Sequence, residues 1–388
     1  MKALNQLKTF QRILGDYPAE TPLSKFLPGF YRQNKQMGST DRKVASRLIY
    51  NYFRLGKALD NIPTEDRLVV AEFLCNTQTN SFLQYFKPEW ALCIGFDIDE
   101  KLKLVKTAYP AFKLPDVFPW TESLSDGINK KAFLESFFVQ PDLYIRVRRD
   151  RETLIKGILS KAEVPFRDES NGCLALPNGT KLEQLFPQQN AFEVQDLSSQ
   201  QTSQFLKPRS GEAWWDACAA SGGKSLLLHE IEPNIKLVVS DIRESVLTNL
   251  DERFQNAGLL RYQKKLLDLT QNPDPVMHDY AFDGIILDAP CTGSGTWGRT
   301  PEMIRQFQPQ KIEFFQGLQQ SIAQNVVRYL KPDKPLIYIT CSVFKAENEA
   351  AVDFMVEHLG MQLESMQVLK GYERRADTMF AARLTRAN

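Results

Sequence analysis

Apolar positions recur every three to four residues through the first 137 residues, as in Val44, Leu48, Tyr52 and Leu55, which predicts helices. Ser39 or Thr40 can cap the helix carrying those four, with Asp41 in its first turn and Arg42, Lys43, Arg47 and Arg54 along it. The period then changes. Leu143, Ile145 and Val147 alternate with Tyr144, Arg146 and Arg148, a strand with one apolar and one aromatic-basic face, and Leu154, Ile158 and Leu159 mark a following helix. A small α+β domain over 138–206 fits this stretch. From 207 to 388 short apolar runs (212–217, 235–240, 264–267, 282–287, 336–339) alternate with helical patterns such as 224–230, 243–257, 312–330 and 348–359. Buried strands separated by crossover helices read as an α/β domain with a parallel sheet, closed by a last strand over 379–384.

The length of 388 residues and 43% hydrophobic content suffice for two or three domains with proper cores. A net charge of +1 means that any nucleic-acid surface must come from local segregation of the 48 basic residues. The six cysteines show no metal spacing, the three histidines are scattered, and Cys75, Cys93 and Cys173 read as structural; no metal is expected. Lys2 is followed by no apolar h-region and no run of ~18 apolar residues occurs, so a cytoplasmic protein without a signal peptide and off the membrane is expected; a monomer is expected as well.

Three stretches carry candidate chemistry, each at the end of an expected strand: DACAASGGKS, FDGIILDAPCTGSGT and PLIYITCSVFKAENE. Ligands of open α/β sheets sit outside the carboxyl ends of the strands, where such residues meet. The turn 219–223 lacks both the dinucleotide and the P-loop glycine spacing, which leaves a nucleoside-like ligand. Asp241, ending the next strand, can accept from ribose hydroxyls or cap the helix after it. Cys291 and Cys341 both follow strands. A thiol with a free pKa of ~8.5 becomes a better nucleophile at a helix N-terminus or beside a cation, and Lys224 can supply the cation.

These motifs, with ENE at 347–349, FEVQDLSSQ at 192–200 and GSTDRKVASRLIYNYFRL at 38–55, resemble those of the S-adenosylmethionine-dependent RNA 5-methylcytosine methyltransferases of the Sun type, most closely the RsmB-like ribosomal-RNA branch. The resemblance implies a helical N-terminal domain similar to the antitermination factor NusB, a small α+β domain of RRM-like kind, and a C-terminal α/β Rossmann-like class I methyltransferase domain. It implies that Cys218, Ala219, Ala220, Ser221, Gly222, Gly223 and Lys224 hold the methionine part of S-adenosylmethionine, Asp241 its ribose and Asp268 its adenine. Asp288 would bind the target cytosine and border the cofactor. Cys341 would be the nucleophile, Cys291 the residue assisting release, and Lys224 would orient base or thiolate.

Tyr144, Arg146 and Arg148 suit stacking on bases and contact with phosphate in an RNA partner, ribosomal RNA above all. Two departures stand out: Ser221 where the family usually has proline, and Asp377-Thr378-Met379-Phe380 where many members have Asp-Gly-Phe-Phe. Alternatives are a transfer-RNA target, a DNA-type enzyme using Cys291 as nucleophile, an N6-adenine or N4-cytosine methyltransferase, and a ribosome-assembly protein without activity. The target nucleotide is not legible.

Overall fold

The structure is a computed structural model and describes residues 2–169, 171–186 and 191–387, with Arg149 by its backbone alone. Packing divides the chain into two compact units: residues up to Glu122 with Asn129–Pro141 and Thr296–Gln308, and Ser123–Ile128 with Asp142–Gly295 and Pro309–Asn388. Of the stretch read as a small α+β domain over 138–206, residues 138–141 fall in the first unit and the rest in the second.

The first unit is helical, with helices at Lys2–Asp16, Leu23–Gln33, Ser39–Arg54, Thr64–Cys75 and Ile98–Ala108 among others. Of the expected stripe, Leu48 and Tyr52 are buried in helix Ser39–Arg54 and Leu55 just past its end, whereas Val44 is half-buried; Ala45, Ile49 and Phe53 complete the buried face. Its N-terminus is closed by Asp41, which accepts from the Gly38 amide at 3.2 Å. Arg54 does not lie on a solvated face: it is 1% exposed and donates to the Phe137 carbonyl at 2.9 Å. Segment Thr296–Gln308 joins this unit through Glu302, which accepts from the Leu23 amide at 3.0 Å, and through an Arg305–Asp60 ion pair.

The second unit holds two sheets. The smaller comprises β1 (Leu143–Val147), β2 (Arg167–Asp168), β3 (Cys173–Leu176) and β4 (Phe192–Val194), antiparallel in the order β2-β3-β1-β4. Ile145 and Val147 pack with Ile155 and Leu159 of helix Glu152–Lys161. The other face of β1 departs from expectation, because it too is covered. Tyr144, 1% exposed, packs with Leu197 and Ala376 and donates to the Arg374 carbonyl. Arg146, 5% exposed, donates to Gln195 at 2.9 Å and pairs with Glu230. Arg148 is half-buried and lies 4.0 Å from Glu193. Of the aromatic-basic face expected to meet RNA, Tyr144 and Arg146 are therefore packed into a seam, while Arg148 stays part-exposed.

The larger sheet comprises β5 (Ala213–Asp216), β6 (Lys236–Asp241), β7 (Gln263–Leu266), β8 (Gly284–Asp288), β9 (Pro335–Thr340), β10 (Met361–Leu369) and β11 (Met379–Arg386). Its order is β10-β11-β9-β8-β5-β6-β7, parallel from β9 to β7 and antiparallel at β11 and β10. Successive side chains of a strand face opposite layers, so Trp214 and Trp215, both fully buried, anchor the two cores on either face. A side chain at Gly284 of β8 would strike the Trp214 ring at 2.5 Å, which reserves that position for glycine. Strand order reverses between β5 and β8, and a crevice opens at such a point outside the carboxyl ends of the strands. No helix of the described residues is long and apolar enough to cross a membrane.

Candidate active site

Because β6, β5, β8 and β9 are neighbours, their carboxyl ends bring Asp241, Asp216, Asp288 and then Cys341 to one edge. The loop after β5 folds back beside them. Ala220 and Gly222 adopt left-handed φ values of 46° and 79°, and a Cβ on Gly222 would lie 2.3 Å from the Phe254 ring. The loop is tied by Ala219 N to the Ser240 carbonyl at 2.9 Å and by Ala220 N to Asp241 Oδ2 at 3.0 Å. Asp241 also accepts from Arg243 N and Nε; although burial opposes it, these bonds hold its carboxyl below the usual aspartate range. It stays an anion able to take further donors such as ribose hydroxyls.

Lys224 opens helix Gly223–Ile231 and reaches Asp288 Oδ2 at 2.7 Å. Burial pushes its ammonium down, but Asp288 and more distantly Asp216 and Cys341 outweigh this and raise its pKa. Asp216 is fully buried; Ser225 donates to Oδ2 at 2.7 Å, while Oδ1 has no partner among the described residues. Burial pushes this carboxyl up to about 7, Asp288 adding to the effect and Ser225 opposing it. The fold thus holds the Asp216 proton more tightly than the unfolded chain does. The stability this gives is complete below an unfolded aspartate's pKa of about 3.9 and is lost as pH rises through about 7. Asp216→Asn cannot ionise and is expected to melt several degrees higher than the parent near pH 8, with the gap narrowing toward pH 5 and closing near pH 4. Melts of both proteins across that range check this, and parallel pH profiles would contradict it.

The two cysteines of the sequence motifs meet: Cys291 Sγ lies 3.4 Å from Cys341 Sγ. Their surroundings differ in charge. Cys341 is felt by the Lys224 ammonium, whereas Cys291 is felt by Glu347. The hydrogen bond to Cys341, burial and the Glu347 charge hold the Cys291 thiol well above the usual thiol range. Touching thiols do not both ionise, and Cys291 is the one its surroundings keep protonated.

Glu347 joins the two loops. It accepts from Thr292 N at 2.7 Å and Thr292 Oγ1 at 2.6 Å on the Cys291 side, and from Ser342 Oγ on the Cys341 side. Gly295 N donates to the Cys341 carbonyl and Thr378 N to the Gly295 carbonyl, each at 2.9 Å. A Cβ on Gly295 would fall 1.9 Å from the Thr378 carbonyl oxygen, so the loops close this tightly only around glycine. The chain's Asp377-Thr378 turn is a working part of that closure. From helix Gln310–Val327, fully buried Gln319 holds the Pro290 carbonyl at 3.0 Å.

Of the residues singled out by sequence, the structure brings together loop 218–223, Lys224, Asp241, Asp288, Cys291 and Cys341. Cys218 borders Asp216 and Asp241, and burial with these carboxylates pushes its thiol up, which keeps it protonated. Asp268 lies just past β7, exposed, its Oδ1 occupied by Thr270 N and Oγ1 at 3.0 and 2.6 Å. Tyr144 and Arg146 belong to the buried seam. Sequence reasoning assigned no role to Asp216, Glu347 or Gln319. The usable signals were an aspartate ending an apolar run, a glutamate just before a helix, and a glutamine on the apolar stripe with Ile322 and Val326.

A seven-stranded sheet reversed at its last strands, with a glycine turn after the first strand and acidic residues at the next strand ends, defines a methyltransferase-like Rossmann fold. Among solved structures, PH0851 shares the fold at TM-score 0.69 and 20% identity, covering 92% of this chain and 93% of that one. NSun6 from Pyrococcus horikoshii, solved with SFG, shares it at TM-score 0.61 and 18% identity, covering 70% and 97%. Residues 203–384, a little under half of the chain, match the family described as 16S rRNA methyltransferase RsmB/F, which supports a place in the RsmB/Sun group. It is 29% identical over 330 residues to ribosomal RNA small subunit methyltransferase B of Shewanella oneidensis, covering 79% of this chain and 68% of that one. For the relatives of that name in Erwinia tasmaniensis and Enterobacter sp. the aligned stretch is 59% and 60% of their own length.

Proposed function

We propose that this protein transfers a methyl group from S-adenosylmethionine to carbon 5 of a cytosine in small-subunit ribosomal RNA, through covalent addition of Cys341 to carbon 6. The observation that carries this reading is the pair of touching thiols with a cation on the Cys341 side and a carboxylate on the Cys291 side. The family match and the relatives' names support an RNA substrate, and the SFG in NSun6, an analogue of S-adenosylmethionine, supports the donor.

The residues present suit that donor. The left-handed turn at Ala220 and Gly222 keeps loop 218–223 low, Asp241 offers carboxylate oxygens to ribose hydroxyls, and buried Asp216 has, beside the loop, an oxygen unpartnered among the described residues. Exposed Ile242 and Leu266, after β6 and at the end of β7, offer apolar surface to the adenine, with Asp268 beyond. When bound, the donor supplies an electrophilic methyl group.

Carbon 5 of cytosine is not nucleophilic, so the Cys341 thiolate adds to carbon 6 and makes carbon 5 enamine-like. Asp288, oriented by Lys224, accepts from the N4 amino group, and the Lys224 ammonium beside it offsets the negative charge that addition places on the ring. After transfer, Cys341 is a thioether and no longer competes for charge, so Cys291 gives its proton to solvent and as a thiolate takes the carbon 5 proton; the C–H electron pair restores the carbon 5–carbon 6 double bond as the Cys341–carbon 6 bond breaks and the Cys341 thiolate leaves. This requires reduced sulfur; all six cysteines are free thiols, and we place the protein in the reducing cytoplasm, acting as a monomer. The helical unit, in the role of a NusB-like domain, and the small sheet, in that of an RRM-like one, would contact RNA outside the target base.

The test is methyl transfer from labelled S-adenosylmethionine to 16S ribosomal RNA transcripts and, separately, transfer RNA, followed by nucleoside mass spectrometry. Label in 5-methylcytidine of the ribosomal transcript is expected. Label in N4-methylcytidine or N6-methyladenosine would overturn the reaction, and label in transfer RNA alone would overturn the substrate.

A further inference from the structure

Segment 192–200 stands apart from the reacting groups, yet its side chains converge on the loop after β5. Gln195, 6% exposed, donates from Nε2 to Ser199 Oγ at 2.9 Å and to the Gly223 carbonyl at 3.4 Å, while its Oε1 accepts from Arg146. Glu193 accepts from Arg253 Nε at 2.9 Å. Arg253 projects from helix Glu244–Ala257, the same helix whose Phe254 ring closes over Gly222. Its remaining nitrogens reach the loop: Nη1 donates to Ser221 Oγ at 3.1 Å and to the Ser221 carbonyl at 3.3 Å, and Nη2 to the Val194 carbonyl at 3.3 Å.

The placement of these bonds matters because of the backbone between them. Ser221 sits between two left-handed residues, one of them an alanine, a conformation a free chain visits rarely and an ordinary side chain resists. Such a turn persists only if its surroundings hold it. The inner side is tied by Asp241 and Ser240, and the Gly222 amide turns back to the Ala219 carbonyl at 2.8 Å; the Ser221 carbonyl and hydroxyl, facing helix Glu244–Ala257, are held by Arg253. The guanidinium is planar and presents its donors in a fixed fork, so one side chain pins Ser221, Val194 and Glu193 in register.

We infer that Arg253, set by Glu193, is a positioning residue for the methyl donor: it holds loop 218–223 in its binding shape without touching the reacting atoms. This rests on the proposed role of that loop. It goes beyond that proposal in making donor affinity depend on a residue from a neighbouring helix and on the strand β4 that precedes the catalytic fold. In the absence of the fork, the loop samples other backbone conformations and the donor must select the right one, which weakens binding but leaves the chemistry of the bound state intact.

The test uses the full chain with S-adenosylhomocysteine in calorimetry and with S-adenosylmethionine in steady-state turnover. Arg253→Ala is expected to raise the Kd and the KM for the donor about tenfold while kcat at saturating donor stays within about threefold. Arg253→Lys, which keeps the pair with Glu193 but has no fork, should recover the melting temperature but not the affinity. Ser221→Ala, losing one acceptor of the fork, should weaken binding about twofold. A merely structural Arg253 would lower the melting temperature and leave Kd and KM unchanged, and that result overturns the inference, as would a loss in kcat alone. Should Arg253→Ala fail to fold, parent-like affinity in both Arg253→Lys and Ser221→Ala overturns it equally. If the parent protein binds no S-adenosylhomocysteine, the reading of the loop falls and takes this inference with it; parent binding with unaffected variants sinks the inference alone.

Discussion

Cys341→Ala is expected to lower methyl transfer by at least about 10⁴-fold while S-adenosylhomocysteine binds as before. Without a thiolate to add at carbon 6, carbon 5 of the ring has no means of attacking a methyl group, so no slower route within the same site remains. The fold should tolerate the change, because the loop is fastened chiefly through the Cys341 carbonyl, which accepts from Gly295 N at 2.9 Å, and the sulfur adds its contact with Cys291 at 3.4 Å. Single-turnover transfer under saturating enzyme checks this. Activity within about tenfold of the parent would mean that addition occurs elsewhere or not at all.

Gly222→Val should cost the protein its donor site. At φ 79° a β-branched residue is strained before any contact is considered, and its Cβ would lie 2.3 Å from the Phe254 ring and 3.1 Å from Leu250. The loop must lift from the helix, with an expected loss of donor affinity of about 100-fold or more and a lower melting temperature. Gly223 is different: it lacks a positive φ, and its Cβ would meet only the Arg253 and Gln195 side-chain ends at 3.6 Å, so Gly223→Ala should be close to neutral. Calorimetric titration of the two variants side by side separates them; equal affinities would contradict the geometry. From sequence the two glycines looked equivalent, and only the backbone angle tells them apart.

The catalytic core was legible because its signals are local. An apolar run followed by a polar turn gives a buried parallel strand, and parallel strands put their carboxyl ends side by side, so Asp241, Asp288, Cys291 and Cys341 had to meet. What could not be read depends on partners far along the chain. The alternation at 143–148 correctly predicted a strand, but the face carrying Tyr144 and Arg146 is covered by residues near 197, 230 and 374, and no local pattern reports such cover. Strand β10 escaped because it is an edge strand whose central residues are exposed, leaving no apolar rhythm. Segment Thr296–Gln308 looked like part of the catalytic domain, yet Glu302 and Arg305 tie it to the helical unit. The fastenings of the site, Glu347 between the loops and Gln319 behind Pro290, are polar residues at positions where the sequence only predicts helix starts and apolar stripes.

The assignment of roles to the two thiols is tested most directly by asking which sulfur becomes bonded to RNA. Cys291→Ala, incubated with RNA and S-adenosylmethionine, should accumulate a protein–RNA adduct that survives denaturing electrophoresis, since addition and transfer proceed and release does not. Protease and nuclease digestion followed by mass spectrometry should place a methylated cytosine on the peptide containing Cys341, and Cys341→Ala should give no adduct. An adduct on Cys291, or one that persists in Cys341→Ala, would contradict the account.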